Sequence, residues 1–385
     1  MEKIKKFKNI LVVKEDREEY DDICFSDKFL SNDNNLNLEL EEVDYTGKIM
    51  VPGFIDVHTH GGNNYDFTTI KSVNEIKEVL KFYHLHGVTA LLPTLLTEHD
   101  EVIFKQEALI SEASKSEPSI IGIHLEGPFV SKEYKGAQLE ECLQNPSIEK
   151  CKEFIKHSNG LFKYMTIAPE LPGSVETIKF LVSKGIRVSM GHSAATFDDC
   201  KKAIEAGATN VTHCMNAMKG LHQHFPSITT AAFYFEDLYN ELILDGIHVV
   251  PEMVEFIRKI KGNEKVVGIT DSLSAAGLPD GDYMLGNTPI YVLNHDCKIK
   301  GTDVRAGSTL TMDRAFSNVK SFTHIDDVKA AHITSLNAAK MLGIDDLYGS
   351  IKEGKYADFV VMNRNYEIEE VYVHGERVYK NNRKE

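Results

Sequence analysis

Eight short apolar runs are spaced through the middle of the chain, at residues 49–57, 88–95, 120–125, 162–168, 187–191, 208–213, 241–247 and 265–270. Runs that are apolar throughout, rather than alternating, fit strands buried on both faces, as in a parallel sheet. Helical signals lie between most of them. Ser72-Val-Asn-Glu75 is a capping box ahead of IKEVLKFYHLHG, which stops at Gly87. The Thr97–Asp100 stretch opens a second helix, Ser174 one that stops at Gly185, and Thr196 one that stops at Gly207, while Pro251 stands where a first helical turn begins. Eight strand–helix units in about 300 residues match the count and length of a (β/α)8 TIM-like barrel, an α/β architecture. A doubly wound open sheet is the alternative, but no GxGxxG follows a strand.

The chain ends read differently. Strand-like runs at 10–13 and 36–43 are broken by Asp, Asn and Ser turns, and 358–362, 370–373 and 377–379 read as hairpin strands. Neither end can bury a sheet face alone. Residues 1–50 and 352–385 are therefore expected to form one small β-sandwich domain, with the barrel, 51–351, inserted between them. The last barrel unit carries an insert at 273–307 with hairpin-like segments.

With 385 residues, 42% of them hydrophobic, the chain can bury a large core, which excludes a disordered protein. Lys and Arg number 43 against 58 Asp and Glu, a net charge of −15. That balance argues against nucleic acid or an anionic membrane as the main partner. No apolar run approaches the roughly 20 residues of a spanning helix. The start, MEKIKKFKNILVV, runs into KEDREEYDD without a small-residue cleavage site, so no signal peptide is expected. Six cysteines without a CxxC pair read as reduced thiols of a cytoplasmic protein.

The chemistry is concentrated where the apolar runs end. Asp56-Val-His58-Thr-His60, His124-Leu-Glu126, Gly191-His192, His213-Cys-Met-Asn216, Asp245-Gly-Ile-His248 and Thr270-Asp271 close six of the eight runs. In a barrel all of those ends converge on one face, where active sites form. Alternate residues of a strand point the same way, so His58 and His60 both face inward, with Asp56 beneath them. A lone HxH occurs by chance. Joined by Glu126, His192, His213 and Asp271 at matching strand ends, it reads as a metal site for zinc or iron.

The order HxH, acidic residue, His, His, Asp resembles the amidohydrolase superfamily. PGFIDVHTHGG (52–62), HLEGPF (124–129), KGAQ (135–138), MGHSAAT (190–196), THCMNAMKGLH (212–222), LDGIHVVPE (244–252), TDSLSAAGLPDG (270–281), AGSTLTMDRA (306–315) and the tail motif in 337–361 are similar to the N-acetylglucosamine-6-phosphate deacetylases. The resemblance covers essentially the whole chain. It implies a hydrolase that removes the N-acetyl group in amino-sugar catabolism, with Glu126, His192 and His213 on a primary divalent metal (zinc, or Fe, Mn or Co) and His58 and His60 helping to hold a second. It implies Asp271 as general base and acid, and a sugar site formed by Ala137, Gln138, Asn216, Ala217, His248 and the Arg305-Ala306-Gly307 loop. It also implies a homodimer.

The chain departs from that family after its NAM motif. The family usually reads HHREPG, with an Arg that grips the sugar phosphate across the dimer interface; here the stretch is His222-Gln-His224-Phe-Pro226-Ser227. His224 replaces a residue that forks onto phosphate and stays charged. Arg305 stands where Leu is usual, and is read as a substitute phosphate ligand, as a ligand for another anion, or as a solvated loop residue. An unphosphorylated or galacto-configured N-acetyl sugar is therefore the alternative substrate, and a catalytically inactive barrel scaffold a remoter one. Gln138 stands where some members place a His that polarises the carbonyl. His124 is read as a hydrogen-bonding neighbour of the ligands, Cys214 as core, the 14–22 charge run as a solvated turn and the NNRKE tail as frayed.

Overall fold

The computed structural model describes residues 4–31, 40–286 and 288–381. Its centre is a parallel barrel of eight strands: β1 Phe54–Thr59, β2 Val88–Leu96, β3 Ile123–Glu126, β4 Phe162–Ile167, β5 Arg187–Met190, β6 Asn210–Val211, β7 Tyr239–Ile243 and β8 Val266–Ile269. Each strand from β1 to β7 pairs in parallel with the next. The expected (β/α)8 barrel is thus present.

The seam between β8 and β1 is closed just beyond the strands. Asp271 N donates to His58 O (2.9 Å) and His60 N to Ser272 O (2.8 Å). Below them the Asp56 carboxylate accepts from Thr270 Oγ1 (2.6 Å) and Thr270 N (3.3 Å), standing in for a backbone ladder. Burial pushes this carboxyl up to about 7. At the bottom of the seam the helical stretch Asp327–Leu342 packs against both strands, and Ser335 Oγ donates to Gly53 O (2.7 Å).

Helices α1 Val73–Leu85, α2 Asp100–Ser114, α3 Ile148–His157, α4 Ser174–Ser183, α5 Phe197–Glu205, α6 Ile228–Tyr234, α7 Pro251–Lys261 and α8 Met312–Thr323 surround the barrel. Ser72 and Thr196 cap α1 and α5 as their sequences predict. Helix α2 starts later than expected, at Asp100, with His99 at its N-cap and no side-chain cap. The 273–307 insert forms a three-stranded antiparallel sheet, Gly281–Leu285, Thr288–Leu293 and Asp296–Ile299, beside the barrel mouth.

The first apolar run divides. Ile49–Pro52 joins a sheet made by both chain ends, pairing antiparallel with Phe359–Met362, and Phe54–Thr59 enters the barrel. Gly53 marks the crossing, where a Cβ would meet Thr89 Oγ1 at 2.1 Å. The chain-end sheet runs from Glu376–Lys380 through Ile4–Val13 to Phe29–Leu30. Its core holds Phe7 edge-on to Phe25 (4.9 Å) and Phe359 stacked on Tyr372 (4.6 Å). Of the 36–43 run, the described part lies in strand Leu40–Asp44. The 14–22 charge run, expected as a solvated strand turn, turns at 14–17 and enters the strand Glu18–Phe25, and it is also anchored: Glu15 accepts from Ser350 Oγ (2.6 Å) and pairs with Lys355 (3.3 Å). Of the NNRKE tail only Asn381 lies within the described residues.

Candidate active site

The barrel interior beneath the mouth is polar. Thr94 Oγ1, His124, Thr166 Oγ1, Thr212 Oγ1 and Ser189 Oγ form a hydrogen-bonded chain across it, with links of 3.2, 2.9, 2.9 and 2.6 Å. Both ring nitrogens of His124 are thereby engaged, and burial lowers its pKa well below the usual imidazole value. It supports the site without facing the cavity.

Above this layer the predicted ligands converge. His192 Nε2 and His213 Nε2 lie 2.9 and 3.0 Å from Glu126 Oε1. His60 Nε2 lies 3.2 Å from Glu126 Oε2 and 3.1 Å from Asp271 Oδ1. His58 Nε2 lies 3.3 Å from Glu126 Oε1 and 3.6 Å from Asp271 Oδ1. His58, His60 and Asp271 form one compact donor group, and Glu126, His192 and His213 another. All six residues are buried.

Backbone geometry helps to aim them. His192, His213 and Asp271 have φ of +46°, +28° and +49°, so β5, β6 and β8 are each followed by a left-handed residue. Non-glycine residues held there carry strain of roughly 1–3 kcal/mol each, a cost typical of functional sites. The early loss of strand geometry also explains why the 208–213 run yields only the two-residue strand β6.

The outer nitrogens are fixed in turn. His192 Nδ1 faces Tyr134 O (2.8 Å), His60 Nδ1 faces Thr94 O (3.2 Å) and His58 Nδ1 faces Glu241 Oε2 (3.1 Å). Acceptors at those positions place protons on Nδ1, which turns each Nε2 toward the two carboxylates. Burial disfavours protonation of His60, but Asp271 and Glu126 outweigh it and push its pKa up to about 9. Burial likewise opposes ionisation of Asp271, yet His58 and His60 hold it below the usual carboxylate range.

The donor set fits divalent cations. Ring nitrogens and carboxylate oxygens crowd one buried space, and His58 Nε2 has no hydrogen bond among the described residues. Four imidazoles and two carboxylates in two groups suit one or two ions of the Zn, Fe, Mn or Co type.

His60, Glu126, His192, His213 and Asp271 floor a cavity of about 620 Å³. Ala137, Gln138, Asn216, Ala217, His248, Arg305, Ala306 and Gly307 all line it, as expected. His224 does not; it is exposed on the loop after Gly220. The Gln138 side chain is turned away from a sugar-binding role. Its Nε2 donates to Glu126 Oε2 (2.7 Å) and its Oε1 accepts from Thr97 N (2.7 Å), so it holds the carboxylate. Arg305 is clasped by Asp296 through Nε (2.8 Å) and Nη2 (3.2 Å).

Three contributors escaped the sequence reading. Glu241 accepts from the Tyr164 hydroxyl and from His213 N (3.3 Å) while facing His58. A carboxylate in the middle of the buried strand Tyr239–Ile243 was the available signal. Glu170 accepts from Ser193 Oγ (2.7 Å) and Ala194 N (2.7 Å), bracing the turn beyond His192. Lys135 lines the cavity, and its Nζ has no carboxylate partner among the described residues, reaching only Gln138 O at 3.4 Å.

The chain matches the Amidohydrolase family over residues 49–378. It is 35% identical over 329 residues to the N-acetylglucosamine-6-phosphate deacetylase of Bacillus subtilis, covering 83% of this chain and 82% of that one. It is 32% identical over 336 residues to the N-acetylgalactosamine-6-phosphate deacetylase of Escherichia coli O157:H7, covering 86% and 87%. The solved structure of N-acetylglucosamine-6-phosphate deacetylase from Thermotoga maritima superposes with a TM-score of 0.88 at 32% identity, over 98% of this chain and 100% of that one.

Proposed function

The chain belongs to the amidohydrolase family, and on that footing we propose that it is a metal-dependent deacetylase. It hydrolyses the N-acetyl group of N-acetylglucosamine 6-phosphate, giving glucosamine 6-phosphate and acetate. The observation that carries this reading is the meeting of four imidazole nitrogens and two carboxylates at the floor of a cavity whose rim carries Lys135.

Glu126, His192 and His213 hold one divalent ion, and His58 and His60 help to hold a second. When bound, such an ion supplies Lewis acidity and lowers the pKa of water toward about 7. Zinc is our first choice. Asp271 is the proton carrier. It borders both the ligand cluster and the cavity, and it is a carboxylate at neutral pH. It takes a proton from the attacking water and returns it to the amide nitrogen as the C–N bond breaks, so the amine leaves neutral.

His248 is set to meet the sugar. Its Nδ1 is held by Asp245 Oδ2 (2.6 Å), which leaves Nε2 for the substrate. Asn216 Nδ2 donates to His213 O (3.2 Å) and Cys214 O (3.4 Å), which leaves Oδ1 to accept from the sugar. Lys135 is the rim cation that takes the phosphate, since Lys132 pairs with Glu140 (2.7 Å) and Arg305 with Asp296. Leu221, Phe225 and Tyr234, 51%, 65% and 69% exposed, are apolar side chains left open to solvent on the loop that carries His224 and on α6 after it. A second copy packed there makes the working unit a homodimer, which we place in the cytoplasm.

The test is acetate release by metal-quantified protein from N-acetylglucosamine 6-phosphate, N-acetylgalactosamine 6-phosphate and free N-acetylglucosamine. The first should have the highest kcat/KM, and Lys135→Ala should raise KM for phosphorylated substrates alone. Loaded protein that releases no acetate from any of them would overturn the reading.

A further inference from the structure

A second cluster of ligand-type side chains lies outside the active site. Glu98 and His99 follow the end of β2, and Cys142 closes the short helical turn Glu140–Cys142. A carboxylate oxygen, an imidazole nitrogen and the thiol sulfur from these three all lie within 4.8 Å of one another. Among the described residues it is the one such group that contains a thiol.

The two segments are already held together around it. Gln144 Nε2 donates to Asp100 Oδ1 (3.0 Å), and Lys150 Nζ pairs with Asp100 Oδ2 (2.5 Å). The local cation is thus engaged by Asp100 rather than by Glu98. Glu98 folds back toward its own loop, with Oε2 accepting from His99 N (2.9 Å). Burial pushes the Cys142 thiol up, and the carboxylates of Glu98, Glu141 and Asp100 add to the shift. The surroundings are therefore electronegative, and a divalent cation is what would make the thiolate favourable there.

We propose that Glu98, His99 and Cys142 form a third metal site, separate from the catalytic cluster, that takes a borderline-soft divalent ion such as zinc. One thiolate, one imidazole and one carboxylate leave a fourth, tetrahedral position for water. His99 is exposed and Cys142 buried, so the ion enters from solvent and is seated against the fold. The site sits one residue from Thr97, whose N–H holds Gln138, which in turn holds Glu126. An ion there ties the segment carrying Lys135 to Gln138 onto the end of β2.

The donor chemistry gives a clean test, because the catalytic cluster contains only nitrogen and oxygen ligands. Cobalt(II) or cadmium(II) is titrated into the full-length protein and the sulfur-to-metal charge-transfer absorption is followed. The expected result is a thiolate band that saturates at one ion per chain and is lost in Cys142→Ser. His99→Ala, at an exposed position that tolerates substitution, should weaken binding read from that band by about tenfold or more. No thiolate band, or a band undiminished in Cys142→Ser or unshifted in His99→Ala, would overturn the proposal.

Discussion

His192 Nε2 and His213 Nε2 face each other across 3.0 Å, and both point at Oε1 of Glu126. Because Tyr134 O fixes the proton of His192 on Nδ1, its Nε2 presents a lone pair to that space. Two nitrogens and a carboxylate oxygen at this spacing repel one another unless a cation or protons lie between them. A divalent cation seated between them would relieve that repulsion.

Stripping the metal with a chelator should destabilise the protein as well as silence it. A ligand that binds only the folded state at about 1,000 times its Kd contributes about 4 kcal/mol. We expect the Tm to fall by several degrees on chelation and to recover on adding zinc. Calorimetry with and without chelator checks this.

Asp271→Asn should separate binding from turnover. Asn tolerates the left-handed backbone at φ +49°, so the loop should keep its shape. The amide cannot carry the proton. We expect the metal content at the Glu126 group to be retained and kcat to fall by roughly 10²–10⁴, measured on metal-quantified protein.

Glu241→Gln should act through His58. The buried carboxylate aligns the His58 ring from behind and also accepts from Tyr164 and His213 N. Losing its charge should weaken the ion held by His58 and His60 by about 10–100-fold. The ion on Glu126, His192 and His213 should be affected less. Metal titration with competing chelators distinguishes the two.

Glu107 gives a pH signature. It is fully buried on α2, neither carboxyl oxygen has a hydrogen bond among the described residues, and burial pushes its pKa up to about 9. An unfolded Glu titrates near about 4.3. Below that value both states are protonated and the residue is neutral for stability. Between the two values only the unfolded chain releases its proton, so stability falls as pH rises. Glu107→Gln should match the parent at pH ~4 and exceed it at pH ~8 by on the order of a few kcal/mol. Denaturant midpoints at the two pH values check it.

The sequence carried the barrel and its ligands unusually far, for a physical reason. Parallel strands buried on both faces leave continuous apolar runs, and a barrel brings the ends of those runs to one face, so His58, His60, Glu126, His192, His213 and Asp271 stood out together. What was hidden depended on side-chain direction. That Gln138 turns to Glu126 and Arg305 to Asp296 is decided by loop partners distant in sequence. The split of the 49–57 run at Gly53 was equally silent, because Ile49–Pro52 is as apolar as the barrel strand that follows it.

The most direct test of the central claim is to titrate metal into stripped protein while following acetate release from N-acetylglucosamine 6-phosphate. The account predicts negligible turnover without metal, a rise with added zinc, and saturation at one or two ions bound to the Glu126, His192, His213, His58 and His60 cluster. Cys142→Ser protein keeps any ion at the proposed third site out of that count. Full turnover in metal-free protein, or none in protein with the cluster loaded, would contradict it.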